Sequence, residues 1–151
     1  MRLRIGLVSD THGLLRPEAL AFLAGADHIV HAGDIVGAAI LPALAKLAPV
    51  TAVRGNNDRG EWADRLRDVE RIELAGVAIC VVHDIADYRA VAGDRVVVTG
   101  HSHAPRVREE AGVLYVNPGS AGPRRFRLPI SAGELIVEDG RVVARLATLG
   151  A

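Results

Sequence analysis

Short apolar runs divided by polar, glycine-bearing turns set the rhythm of this chain. Leu3 to Ser9 reads as a buried strand, and Pro17 to Ala24 as a short helix with proline in its first turn and Gly25 as its stop. His28 to Ala32 predicts the next strand, Ala38 to Leu47 the next helix, with Pro42 near its start, and Val50 to Val53 a third strand. That is a βαβαβ beginning. Glu61 to Asp68 predicts a short helix or a turn. Beyond it strands crowd together. Arg71 to Leu74 and Val77 to His83 form a predicted hairpin about Ala75-Gly76, and Val96 to Thr99 and Val113 to Val116 follow. Glu134 to Val137 and Val142 to Leu146 close a second hairpin at Asp139-Gly140. Gly119 to Gly133, rich in Gly, Pro and Arg, reads as a long surface loop within the domain.

Helices between early strands and hairpins later predict an α/β fold of two packed sheets flanked by helices, a four-layer arrangement. The 151 residues suit a single domain, 1–151, with room for a sizeable core. Aromatic residues make up only 3%, so Val, Leu, Ile and Ala must supply the buried surface. Eighteen basic residues balance eighteen acidic ones, which leaves no global field to draw the chain to nucleic acid or anionic lipid. Any attraction for phosphate must be local. Cys80, the one cysteine, sits in the apolar run Val77 to Val82 and reads as a buried, inert thiol. The apolar start is too short for a secretory signal, and no run approaches membrane-spanning length. A soluble, cytoplasmic protein without membrane partners is the expectation, with a homo-oligomer left open.

Metal-capable side chains fall at the ends of the predicted strands. Asp10 and His12 follow the first, Asp34 the second, Asn56 the third, His83 ends a later one, and His101 and His103 follow Val96 to Thr99. In open α/β sheets, functional groups gather beyond the carboxyl ends of strands, so distant segments can converge on one crevice. In extended chain, residues i and i+2 project to the same side, so Asp10-x-His12 and His101-x-His103 could each grip one ion. Gly33, Gly55 and Gly100 each precede a candidate ligand, where the missing Cβ permits a sharp turn or close backbone approach. Taken singly, Asp-Thr-His is more often a turn or cap, and His-Ser-His more often a solvated loop. Their joint occurrence at strand ends shifts the balance to a metal site.

The motifs Asp10-Thr11-His12, Gly33-Asp34, Gly55-Asn56-Asn57-Asp58, His83 and Gly100-His101-Ser102-His103, in that order, resemble those of the calcineurin-like metallophosphoesterases. Asn117-Pro118-Gly119-Ser120 looks like the small single-domain phosphodiesterase branch of that family. The resemblance implies a double β-sandwich flanked by helices and two divalent metals. It implies Asp10, His12, Asp34 and His103 on the first metal, with Asp34 bridging to a second that also takes Asn56, His83 and His101. Nitrogen and oxygen ligands suit manganese, the leading expectation, or zinc, iron or nickel. With two carboxylates among the ligands, two divalent ions leave about two surplus positive charges to attract an anionic small phosphate ester. Bound water of lowered pKa then supplies the hydroxide that attacks phosphorus. Asp34, Asn56, Asn57, Asp58 and His101 form the expected catalytic set.

The sequence departs from the family twice. Asn57 stands where many relatives carry histidine, and an amide cannot serve as a general acid. Asp84-Ile85 replaces the Gly-His found after the histidine in many members, which bears on substrate-facing residues. Asp58 is expected to orient the Asn56 loop or to be an ordinary turn aspartate. Arg124, Arg125 and Arg127 are either a solvated surface group or a clamp on substrate phosphate, with Arg54 an equally placed candidate. His28 and His31 are read as structural or as supports of the ligands, and Trp62 as a packing or rim residue. Two rival functions stand beside the phosphodiesterase: a phosphomonoesterase or nucleotidase on the same metals, and a non-catalytic protein-binding scaffold of the same fold.

Overall fold

The computed structural model describes residues 2–150. Its first part comprises β1 (Arg2–Val8), α1 (Pro17–Leu23), β2 (His28–His31), α2 (Ile40–Ala45), β3 (Val50–Ala52) and α3 (Glu61–Asp64). The strands β4 (Val69–Leu74), β5 (Val77–Val82), β6 (Val96–Val98), β7 (Arg106–Glu110), β8 (Val113–Asn117), β9 (Ser131–Glu138) and β10 (Arg141–Thr148) follow. One 3-10 turn, Ile85–Asp87, lies between β5 and β6. No helix among the described residues is long and apolar enough to cross a membrane.

The strands form two five-stranded mixed sheets, ordered β10-β9-β1-β2-β3 and β4-β5-β6-β8-β7. Alternation along each strand divides its side chains between two faces. Ile5, Leu7, Val30 and Leu135 of the first sheet meet Ile79, Val81, Val98 and Val116 of the second, forming the core between them. The opposite face of the first sheet, with Val8, Ile29 and Ala132, is covered by Leu23 of α1 and Leu44 of α2. Each such Val, Leu or Ile side chain contributes about 1.5–3 kcal/mol on burial. At Gly6 a Cβ would strike the tip of the Leu23 side chain, so Leu23 of α1 packs directly on the β1 backbone and would have to shift in Gly6→Ala. The outer face of the second sheet carries a smaller cluster, Cys80, Val82 and Val97, capped by Tyr88 and Tyr115. Cys80 is fully buried, and burial raises its thiol pKa, as suits an inert packing group.

This is the expected double sandwich, with three local differences. The polar stretch Arg106–Glu110 forms β7, an edge strand hydrogen-bonded to β8 on one side only. Four of its five residues are polar, so apolar alternation gave no sign of it; the ladder with β8 holds it. The stretch from Gly119 to Gly133 is not a surface loop throughout. Gly119 to Gly122 and Ile130 to Gly133 are buried, and only the middle protrudes. Its small residues pack where the chain crosses between sheets, and β9 accordingly begins at Ser131, three residues early. The second helix is also shorter than expected, starting at Ile40 and ending at Ala45.

β1, β2 and β3 run parallel, as do β5, β6 and β8. The carboxyl ends within each set therefore share one edge, and the loops leaving those edges build the site.

Candidate metal centre

The loop after β1 is tied to the loop after β2 by a short ladder. Asp10 N, His12 N and Gly13 N donate to Gly33 O, Asp34 O and Ile35 O at 3.0, 3.0 and 2.8 Å. The loop after β3 is clamped on through Asp58. Its Oδ1 accepts from Ile35 N and Val36 N, and its Oδ2 from Gly55 N, each at 2.8 Å. A Cβ on Gly55 would strike the Asp34 backbone, one on Gly100 would strike Ser9, and one on Gly33 would lie 2.7 Å from His83 Nδ1. The close approach expected at all three glycines is present, and it brings the loops of both sheets together.

Two groups of ligand-capable atoms result: Asp10, His12 and His103 in one, Asp34, His83 and His101 in the other. They adjoin. Asp34 Oδ2 lies 3.3 Å from His83 Nε2 and 3.6 Å from His12 Nε2, so one carboxylate oxygen faces both groups. Asp10 Oδ1 lies 3.4 Å from His103 Nε2 and 3.8 Å from His12 Nε2. Asn56 is exposed on a groove of about 580 Å³ that His83, His101, Arg54 and Asp84 also line. Asp10, His12, Asp34, His101 and His103 all have positive φ, between 45° and 71°, conformations that cost non-glycine residues energy and collect at functional sites. The extended geometry expected of the i, i+2 pairs is therefore absent. Left-handed turns deliver these side chains, and they send His101 and His103 to different groups, so that pair does not grip one ion.

Hydrogen bonds fix the lone pairs. His83 Nδ1 donates to Ala32 O at 2.7 Å, which leaves Nε2 as the free acceptor. Ser9 Oγ and His101 N donate to Asp10 Oδ2 at 2.7 and 3.1 Å. Asn57 donates twice to Asp34, from its backbone N to Oδ1 and from its amide to Oδ2, both at 2.9 Å. Four buried atoms nevertheless have no protein partner: Asp10 Oδ1, His12 Nε2, His83 Nε2 and His103 Nδ1. Orphaned buried polar atoms are costly, and a cation in each group would give those residues partners. The donor set, imidazole and carboxylate without thiolate, fits a divalent metal.

The electrostatics agree. Burial alone would raise the Asp34 carboxyl, but the His83 imidazole 3.3 Å away and the hydrogen bonds from Asn57 hold it well below the usual carboxylate range. Burial pushes Asp10 up, against the pull of Ser9, His83 and His103. His83 is raised despite burial because Asp34, Ala32 O and Asp10 favour its cation. His103 is lowered, first by burial, with Arg125 and His12 adding positive charge against Asp10 and Asp34. Asp34 thus stays ionised while His103 resists protonation, which keeps a carboxylate and a neutral imidazole available as ligands.

Several supporting residues carried little signal in the sequence. Thr11 Oγ1 donates to Ile35 O at 3.0 Å and so accepts from His31 Nε2, while His31 Nδ1 accepts from Gly33 N at 3.1 Å. His31 is thus a neutral strut beneath the ligand loops, pushed down to about 3 by burial. Ser120 Oγ donates to Asp10 O, and Asn117 Nδ2 to Gly100 O, at 3.0 and 2.9 Å. The Asn117-Pro118-Gly119-Ser120 motif therefore braces two ligand loops from below. His28 pairs with Thr51 Oγ1 at 2.8 Å, and Trp62 packs against the helix-side core. Arg54 is paired with Asp68 at 3.2 Å on the groove rim. Asp84 caps the 3-10 turn through Ala86 N and lies 3.6 Å from His101 Nε2.

The sequence profile of the calcineurin-like phosphoesterase superfamily domain matches residues 3–140, and the chain belongs to that family. A protein of Methanothermobacter thermautotrophicus named "Probable metallophosphoesterase" is 32% identical over 97% of this chain and 93% of its own. Among solved structures, one described as a novel archaeal phosphodiesterase superposes with a TM-score of 0.77 at 24% identity, over 96% of this chain and 100% of that one. Entamoeba histolytica Vps29, complexed with zinc, gives 0.71 at 20% identity, over 98% and 100%. At such identities the two structures establish the fold alone. Family membership makes this chain a metallophosphoesterase by class, with divalent metal as the family's cofactor.

Proposed function

We propose that this metallophosphoesterase hydrolyses small phosphodiesters with two divalent cations held side by side. Asp10, His12 and His103 hold one, His83, His101 and the Asn56 amide oxygen hold the other, and Asp34 is shared. The reading rests on two adjoining groups of ligand-capable residues, within which four buried atoms have no protein partner among the described residues. When bound, the cations supply a water of lowered pKa and positive charge at the attacking and leaving oxygens.

The chain's own part is positioning. Asn57 fixes both oxygens of Asp34, Asp58 locks the Asp34 and Asn56 loops in register, and the His83 hydrogen bond to Ala32 O keeps Nε2 free. With its amide committed to Asp34, Asn57 offers no proton to a departing oxygen. Diesters with acidic leaving groups should therefore turn over faster than simple alkyl diesters, and equal rates would refute this assignment. The groove beside His83 and His101 has the volume of a small-ligand site.

The deciding experiment adds manganese, zinc, iron or nickel to stripped protein. It compares an activated diester with the matching monoester, then with nucleotides and cyclic nucleotides. Diester hydrolysis that needs added metal and exceeds monoester hydrolysis supports the proposal; the reverse preference makes the chain a phosphomonoesterase. The Vps29 likeness favours a second reading, a metal-binding scaffold. Tight metal binding with no hydrolysis of any ester would select it.

A further inference from the structure

The segment from Pro123 to Arg127 stands out from buried chain on either side. Its tip reads Arg124-Arg125-Phe126-Arg127, all exposed. Phe126 is 90% exposed, where the next large hydrophobic side chain, Val91, reaches 50%. A lone exposed apolar side chain is ordinary. Here three other features accompany it. The ring is flanked by three guanidinium groups, none of them in a salt bridge among the described residues. Its backbone is held at φ 54°, with Leu128 N closing the turn on Arg125 O at 3.1 Å. The loop is also anchored to the metal cluster.

That anchorage is direct. Ala121 N donates to Ser9 O and Ser120 Oγ to Asp10 O, both at 3.0 Å. A Cβ on Gly122 would strike Thr11 O, between the ligands Asp10 and His12, and Arg16 Nε donates to Gly122 O at 3.0 Å. Arg125 is near enough to His103 for its charge to act there. Three residues separate Gly122 from Phe126, so the Phe126 Cα stays within roughly 14 Å of that anchor. An aromatic face and positive charge at this range from the metals fit a substrate that carries a base as well as a phosphate. Bases stack on exposed aromatic rings, and guanidinium groups take phosphate oxygens.

We propose that this loop is the nucleoside-binding arm of the site. It stacks the base of a nucleoside phosphodiester on Phe126 and pairs the flanking phosphate with its arginines. The chain is neutral overall, so attraction for phosphate has to come from local groups such as these three arginines. The hydrolytic arm of the test depends on the diesterase reading above, whereas the binding arm does not.

Hydrolysis of thymidine 5′-(p-nitrophenyl phosphate) is compared with that of methyl p-nitrophenyl phosphate, which shares the leaving group and lacks a base. Phe126→Ala should cut the preference for the thymidine ester about tenfold, through KM, and Phe126→Trp should restore it. Binding of a thymidine dinucleotide to metal-stripped protein is measured in parallel. It should weaken by a similar factor in Phe126→Ala, and its salt dependence should fall in the double variant Arg124→Ala, Arg127→Ala. If the wild type hydrolyses neither ester yet binds the dinucleotide through Phe126, the diesterase reading fails and the nucleoside arm stands. Octathymidylate run beside the dinucleotide fixes the length of the ligand: tighter binding means a single strand, equal binding a small nucleotide, and both support the arm. An unchanged preference and unchanged dinucleotide binding in Phe126→Ala would overturn it and leave the exposed ring to a protein partner.

Discussion

Asp94 and Asp10 are both buried, at 9% and 0% exposure, one under the loop that covers the second sheet and one in the candidate metal centre. Around Asp94 every acceptor has a donor. Tyr88 Oη donates at 2.7 Å, Val91 N at 3.2 Å and Arg71 from two nitrogens at 3.3 Å, and these contacts hold the carboxyl below its ordinary value despite burial. Around Asp10 one oxygen is satisfied by Ser9 and His101 N, while Oδ1 faces imidazole nitrogens at 3.4 to 3.9 Å without a hydrogen bond. Burial then wins, and Asp10 is pushed up. A carboxylate whose partners are complete serves the fold. One whose partners are incomplete is kept for something the chain does not supply.

The contrast is broken most severely at Asp34, the carboxylate facing both ligand groups. Asp34→Ala should lower diester hydrolysis at least about a thousandfold with every metal, while the protein stays folded by circular dichroism. Wild-type rates in that variant would disprove the site assignment. Metal itself should complete the partners of Asp10. A free cation concentration of 100 times its dissociation constant stabilises the wild type by about 2.7 kcal/mol, read as a rise in melting temperature that chelator reverses. Asp10→Asn should lose most of that rise. In stripped protein, however, the same variant should melt a few degrees higher than wild type, since it removes a buried charge lacking a full set of donors.

Asp94→Ala tests the other side. It should cost about 1–3 kcal/mol by leaving Tyr88 and Arg71 without their acceptor, with kcat unchanged. A fall in kcat at unchanged stability would dissolve the distinction between the two aspartates. The gentlest probe is His31. Its folded pKa of about 3 lies below the ordinary 6.5, so the unfolded chain binds the extra proton. The stability it confers is complete above pH 6.5 and drains away as pH falls toward 3. In stripped protein, denaturant titrations should show His31→Leu flattening this fall by up to about 1.4 kcal/mol per pH unit.

Much of the candidate centre was legible because its signals are local. Asp10, His12, Asp34, His83, His101 and His103 could be read from residue type and from their place after apolar runs, and Gly33, Gly55 and Gly100 from the need for close approach. Less local features escaped. β7 is held by its neighbour and not by an apolar pattern, the buried flanks of Gly119 to Gly133 look polar only because glycine and serine fit tight crossings, and Thr11 and Ser120 lie within motifs that do not tell their roles as struts.

The sequence by itself determined the buried strands, the kinds of ligand atom available and their clustering at strand ends, because each depends on side-chain chemistry and short-range alternation. Residue type and spacing left open which candidate ligands share a space; the family resemblance implied a division, and the tertiary structure supplies its physical reason. The parting of His101 from His103 follows from left-handed turns at those residues, and the hold of Asn57 and Asp58 on the Asp34 loop requires β2 and β3 to lie side by side. Backbone handedness in a loop is set by what the loop packs against, and that partner here comes from a distant part of the chain.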